Sequence, residues 1–121
     1  MIIENPGFLP DLSGEMNLKL LASLNQKIGL SQIHEAMRKV GLDPQLKKYV
    51  RSYSLGMRQR LGIAQAIMED PALLVLDEPF NGLDKAVTRA MHELLCTLRE
   101  QGKTILLTSH NACHLYTSRC V

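Results

Sequence analysis

Residues 72 to 76, Ala-Leu-Leu-Val-Leu, are an unbroken apolar run flanked by Pro71 and Pro79, and two carboxylates, Asp77 and Glu78, follow it at once. A run this short and this apolar suits an inner strand of a parallel sheet, covered on both faces. Ala86 to Glu100 then reads as a helix, with Val87, Met91, Leu94, Leu95 and Leu98 on one face and Gly102 past its end. Thr104 to Thr108 is a second apolar strand. Residues 72 to 109 are therefore expected to form one strand, helix, strand unit with a right-handed crossover, so that both strands end on the same side. Ligands of open parallel sheets sit beyond those ends, where Asp77-Glu78 and Ser109-His110 fall.

The first half has a helical period. Asn5-Pro6-Gly7 and Pro10-Asp11 are turn signals, after which a helix can start past Ser13. Leu18, Leu21 and Ala22, with Leu20 and Leu24, make a stripe wide enough to need burial. Ser31 can cap a second helix with Ile33, Ala36, Met37 and Val40 on its apolar face, stopped by Gly41. Asp43-Pro44 offers a cap and a first-turn proline for a short third helix carrying Lys47, Lys48 and Arg51, a basic group read as a solvated face.

Bulk properties exclude more than they select. A net charge of +2 with 21% charged residues provides no basic field that would argue for nucleic acid. No apolar run approaches the roughly 20 residues that span a bilayer, and no export signal opens the chain, so a soluble, unexported protein is expected. The cysteines, Cys96, Cys113 and Cys120, are odd in number, and Cys96 on an apolar helix face reads as a free thiol in a reducing cytosol. His110, Cys113, His114 and Cys120 cluster, but their spacing fits no common zinc pattern. Two strands are too few for the open, helix-covered sheet that the pattern implies, so the 121 residues are expected to be an incomplete domain.

Adjacent carboxylates after a buried strand are costly unless a cation is near, and Mg²⁺ with nucleotide phosphates is the usual reason. Neighbouring side chains diverge, so one can serve the metal and the other a water. The bland alternative is a helix cap at Asp77 and a loop charge at Glu78. Ser54-Leu55-Gly56 precedes a helix containing Leu61, Ala64, Ile67 and Met68, placing a hydroxyl and a bare backbone at a helix N-terminus. Such an end favours a phosphate, although a serine there alone is most often just a cap.

Together the motifs resemble the nucleotide-binding subunit of ABC transporters, over residues 2 to about 110. Ser54 and Gly56, with Gln59 and Arg60, match the family signature; Leu73 to Pro79 match Walker B, Asn81 to Asp84 the D-loop, and His110 the switch histidine. Glu4 stands where many members have the Q-loop glutamine. The opening, with Asn17-Leu18 and Tyr53 to Met57, is most similar to ATPases of bacterial exporters for peptide antibiotics such as bacitracin and lantibiotics.

The resemblance implies an α/β, partial P-loop NTPase fold. Residues 1–70 would be a helical subdomain from the Q-loop region to the signature helix, and residues 71–121 a partial ATPase core. It implies ATP and Mg²⁺ as ligands, Asp77 at the metal, Glu78 as general base or water-orienting group, and His110 as sensor of the γ-phosphate. Ser54 and Gly56 would bind ATP held by a second nucleotide-binding domain in a head-to-tail dimer, with Asp84 coupling the two sites. The helical half would dock on a transmembrane permease subunit, placing the chain in the cytoplasm against the inner face of the membrane.

The departures are specific. Leu55 replaces the signature's first glycine and Met57 its glutamine, and the charge of Glu4 replaces an amide. The phosphate-cradling motif Gly-x-x-x-x-Gly-Lys-Ser/Thr does not occur in the 121 residues. No acidic residue follows Glu100, where the family continues with an acidic helix, so a frame shift or truncation past His110 is expected. The second strand would then lack its Walker A neighbour, and its open apolar edge predicts self-association. Two other readings share the motifs: a non-transport ABC ATPase, which would have no membrane partner, and a non-catalytic remnant or interaction module, which would not turn over ATP.

Overall fold

A computed structural model describes residues 2–3, 8–24, 28–109 and 112–115. The elements are β1 (Ile2–Ile3), α1 (Gly14–Ala22), α2 (Leu30–Lys39), α3 (Leu55–Met68), β2 (Leu73–Asp77), α4 (Lys85–Glu100), β3 (Thr104–Ser109) and β4 (Ala112–Leu115), with a 3-10 turn at Val50–Ser52. The sheet order is β1-β2-β3-β4. As expected, β2 and β3 run parallel, Leu73 opposite Thr104 through Asp77 opposite Thr108, with α4 as the crossover.

Two features of the sheet correct the two-strand expectation. β1 adds a parallel strand beside β2, with Ile2 opposite Val75. β4 runs antiparallel to β3, Leu106 opposite Leu115 and Ser109 opposite Ala112. The edge of β3 that was expected to stand open is therefore paired, and the basis for self-association through it is gone. The physical cause is the demand of every strand-edge N–H and C=O for a partner, which the following residues meet.

The apolar side chains form two clusters that share α3. One gathers Leu18, Ile33, Met37, Val40, Leu61 and Ala64 from α1, α2 and α3. The other gathers Ala66, Leu74, Leu76, Leu95, Leu98 and Ile105 between α3, α4 and the sheet. Leu18, Met37, Leu61, Leu76 and Leu95 are fully buried, each contributing about 1.5–3 kcal/mol of transfer free energy.

Local chemistry corrects four expectations. Leu20 and Leu24 stay exposed, at 47% and 86%, so the apolar stripe of α1 is narrower than its sequence suggested. α2 begins two residues earlier than a Ser31 cap would allow, with Gly29 as its N-cap, because the Gln32 side-chain carbonyl accepts the Gly29 N–H at 2.8 Å. No helix follows Asp43-Pro44. The Asp43 carboxylate instead accepts the Gln45 N–H at 2.9 Å, and the N–H groups of Val50 and Arg51 go to Leu12 O and Pro10 O at 2.9 and 3.0 Å. These pairings with the 9–13 segment win over a helical turn. Cys96 is buried on α4, with His92 Nε2 3.6 Å from its sulfur, and is disulfide-bonded rather than free.

The 9–13 segment is fixed by a buried polar residue, Asn17, 3% exposed on α1. Its Oδ1 accepts the Leu9 N–H at 2.7 Å, and its Nδ2 reaches Ser13 O at 2.9 Å, Leu9 O at 3.1 Å and Leu12 O at 3.4 Å. Glu15 pairs with His34 across the interface with α2 and, at 3.4 Å, with Lys19 one turn along α1. Among the described residues no helix is long and apolar enough to cross a membrane.

Candidate functional site

β2 ends in Asp77 because Leu74, Val75 and Leu76 are buried and the strand then leaves the core, while Leu73 at its start is exposed. The Asp77 carboxylate accepts the Thr108 hydroxyl at 2.5 Å from the neighbouring strand. Glu78 turns into the left-handed region, φ +43°, where non-glycine residues are uncommon, and donates its N–H to Thr108 O at 2.8 Å. Its carbonyl then accepts the Asn81 N–H at 3.1 Å, closing the turn. The two acidic residues thus follow one another at the carboxyl ends of parallel strands, Asp77 tied to Thr108 through its side chain and Glu78 through its backbone.

The turn ends at Asp84, whose Oδ1 accepts the Val87 N–H at 2.8 Å and caps α4. Ser54 likewise caps α3, accepting the Met57 N–H at 3.1 Å. The two capped ends face each other. Gly82 adopts φ +81°, and a β-carbon there would lie 2.5 Å from Leu55 Cδ2, so only glycine fits. A β-carbon on Gly56 would come within 3.3 Å of Gly82 O. A cavity of about 230 Å³ lies between them, lined by Ser54, Leu55, Gly56, Gly82, Leu83 and Asp84. A larger one, about 370 Å³, lies between α1 and α2 against Ala22, Ile28, Leu30 and Ile33, and it adjoins none of the residues singled out above.

The structure thus brings Ser54, Gly56 and Asp84 to one cavity and holds Asp77 with Glu78 at the strand ends. Glu4 and His110 lie outside the described residues. Gly102-Lys103-Thr104 repeats the close of the phosphate-loop motif, but Thr97 stands at the position of its first glycine. These residues lead from the C-terminus of α4 into β3, and Lys103 pairs with Asp70 at 2.7 Å. A helix C-terminus repels anions, so no phosphate cradle forms there.

The family model described as ABC transporter matches residues 1–81. The chain belongs to the ABC transporter family. It is 47% identical over 110 residues to the bacitracin transport ATP-binding protein BcrA of Enterococcus faecalis, covering 90% of this chain and 36% of that protein. To the lantibiotic transport ATP-binding protein SrtF of Streptococcus pyogenes it is 40% identical over 111 residues, covering 90% of this chain and 47% of that one. The chain therefore spans between about a third and half of these relatives. Among solved structures, the dimeric ABC transporter cassette MJ0796 aligns with a TM-score of 0.77 at 21% identity, over 91% of this chain and 51% of that one, which shows the fold alone. The structure of an ATP-binding subunit of an ABC transporter aligns with a TM-score of 0.74 at 29% identity, over 91% and 48%. The α/β cassette fold expected from the motifs is thus the fold of this ABC family member.

Three residues, Thr108, Asn17 and Tyr53, have roles in the site or its support that the reading of the sequence did not assign. Thr108 had a usable signal: a hydroxyl that follows the apolar run Ile105 to Leu107 and falls in register with Asp77. Asn17 was visible as a polar residue within an apolar helical stripe. Tyr53 was not. Its hydroxyl is buried without a hydrogen-bond partner of good geometry, against Gly14, and burial pushes its pKa up while the Gly14 backbone pulls it the other way.

Proposed function

We propose that this chain is part of the ATP-hydrolysing subunit of a bacterial ABC exporter, contributing the Mg²⁺-side carboxylate, the water-side carboxylate and the surface that meets a second subunit's nucleotide. The observation that carries this is the split of Asp77 and Glu78 at the strand ends by one β3 residue. One oxygen of Asp77 is held by Thr108, leaving the other for a cation. Among the described residues no three His, Cys, Asp or Glu are grouped to hold a metal by themselves. Asp77 therefore suits an ion that takes most ligands from phosphate and water, as Mg²⁺ does. Bound there with nucleotide, Mg²⁺ supplies neutralisation of phosphate charge.

Glu78, one residue on, accepts a proton from the attacking water or orients it. Ser54 spends an acceptor lone pair on the Met57 N–H, which leaves its hydroxyl hydrogen to donate to a γ-phosphate. Gly56 lets that phosphate approach the backbone, and the positive end of α3 favours it. Asp84, beside the same cavity, would link this surface to the partner domain in a head-to-tail dimer. His110 and Glu4 keep the γ-phosphate-sensing and Q-loop roles that the resemblance implies. The exporter assignment rests on similarity to proteins whose names state bacitracin and lantibiotic transport. A permease would then hold the subunit at the cytoplasmic face of the membrane.

The sequence contains no phosphate loop, so these 121 residues purified alone should not turn over Mg-ATP. Undiminished hydrolysis by them would overturn the reading. In the whole subunit, Glu78→Gln should lower hydrolysis by about 100-fold or more while sparing ATP binding. Equal rates for Glu78→Gln and wild type would remove Glu78 from the chemistry.

A further inference from the structure

We propose that Thr108 is the positioning residue that sets both carboxylates of the site, and that its hydroxyl tunes the affinity of Asp77 for a divalent cation. The inference rests on the reading of Asp77 as the metal-side carboxylate. Thr108 stands opposite Asp77 in the parallel register of β2 and β3. Its Oγ1 lies 2.5 Å from Asp77 Oδ1 and 3.4 Å from Leu76 O. A hydroxyl has one hydrogen, so the short contact takes it, at the distance of a charge-assisted O–H···O⁻ bond.

That bond has two effects on Asp77. It fixes the plane of a carboxylate that would otherwise rotate about its last torsion, which is broad and two-fold. It also occupies Oδ1, so the oxygen presented outward is Oδ2. The backbone of Thr108 acts on the next residue. Its carbonyl accepts the Glu78 N–H at 2.8 Å, which helps hold the Glu78 backbone in its left-handed conformation. Strain of this kind persists where surrounding structure over-determines it, and here the same threonine provides both restraints. Outer-sphere groups that orient a ligand typically change metal affinity 10–100-fold when removed.

The test is a Mn²⁺ titration of the protein, metal alone, read by paramagnetic broadening of the amide signals of Asp77, Glu78 and Thr108. Wild type, Thr108→Ser, Thr108→Cys, Thr108→Val and Asp77→Asn are compared, with melting temperatures alongside. Thr108→Val, which keeps the shape and removes the donor, should weaken Mn²⁺ by about 10-fold. Thr108→Cys should fall between, because a thiol is a weak donor, and Thr108→Ser should restore wild-type affinity. A purely structural role would move the melting temperature and leave the affinity order unrelated to donor strength. If Thr108→Val fails to fold, Thr108→Cys against Thr108→Ser decides the same question. Wild-type affinity in every Thr108 variant, with Asp77→Asn impaired, would overturn the role of Thr108 and leave the site standing. Equal broadening in Asp77→Asn and wild type would overturn the metal reading of Asp77 and this inference with it.

Discussion

Replacing Asn17 by leucine tests how the helical half is held together, because one buried amide organises a whole segment. The side chain accepts the Leu9 N–H and offers two hydrogens to three carbonyls, so only two of those contacts are strong at once. Leu12 O is the weakest, at 3.4 Å, and already accepts the Val50 N–H at 2.9 Å. The loss that matters is therefore three hydrogen bonds. Stranding the Leu9 N–H costs about 1–3 kcal/mol, and the two carbonyls, Leu9 O and Ser13 O, about 0.5–1.5 kcal/mol each. Leucine returns part of this through apolar burial, leaving a net loss of about 2–3 kcal/mol. For a chain of this size that lowers the melting temperature by about 8–12 °C. The assay is thermal and urea unfolding followed by circular dichroism. Asn17→Asp, which keeps the acceptor for Leu9 N–H and loses the donors, should behave differently from Asn17→Leu. A loss below about 1 kcal/mol for Asn17→Leu would show that the 9–13 segment is held by its pairing with Val50 and Arg51, and would refute the reasoning.

Two further outcomes follow from the same half of the molecule. The hydrogen bond from His34, with Lys19 adding to it, holds the Glu15 carboxyl below its ordinary value of 4.5. A depressed folded-state pKa gives stability that is present above 4.5 and lost as pH falls through the lower folded value. Below pH 4.5, unfolding free energy should therefore drop more steeply in wild type than in Glu15→Gln, and parallel acid profiles would refute the pairing. Among the described residues the buried Tyr53 hydroxyl has no hydrogen-bond partner of good geometry, so Tyr53→Phe should be neutral or stabilising by a few tenths of a kcal/mol in urea unfolding. A loss above about 1 kcal/mol would mean that the hydroxyl is satisfied after all.

What could be read ahead of the structure was whatever a local rule governs alone. The β2-α4-β3 unit followed from two short apolar runs and one helical period, and the caps at Ser13 and Ser54 came out where small polar side chains precede helices. Hidden features depended on distant partners. The Asp43-Pro44 helix failed because Val50 and Arg51 had better acceptors in a segment far back in the chain, which no window of sequence reveals. β4 was missed because Ala112–Leu115 has neither an apolar run nor a clear alternation; its pairing with β3 comes from the edge it covers. Leu20 and Leu24 obey the helical period yet stay exposed, since periodicity reports which residues share a face and not whether a neighbour arrives to cover it. At the site, the residue types at Asp77, Glu78, Ser54 and Gly56 were legible as motifs. Their division into a strand-end pair and a capped cavity was not, because it depends on Thr108 and on how closely Leu55 meets Gly82.

That last contact is a constraint on sequence. Gly82 leaves the room that Leu55 occupies, and Gly56 stands against the Gly82 carbonyl, so the start of α3 and the turn before α4 fit as they do only while Gly82 stays bare. Two segments separated along the chain are thereby bound to vary together.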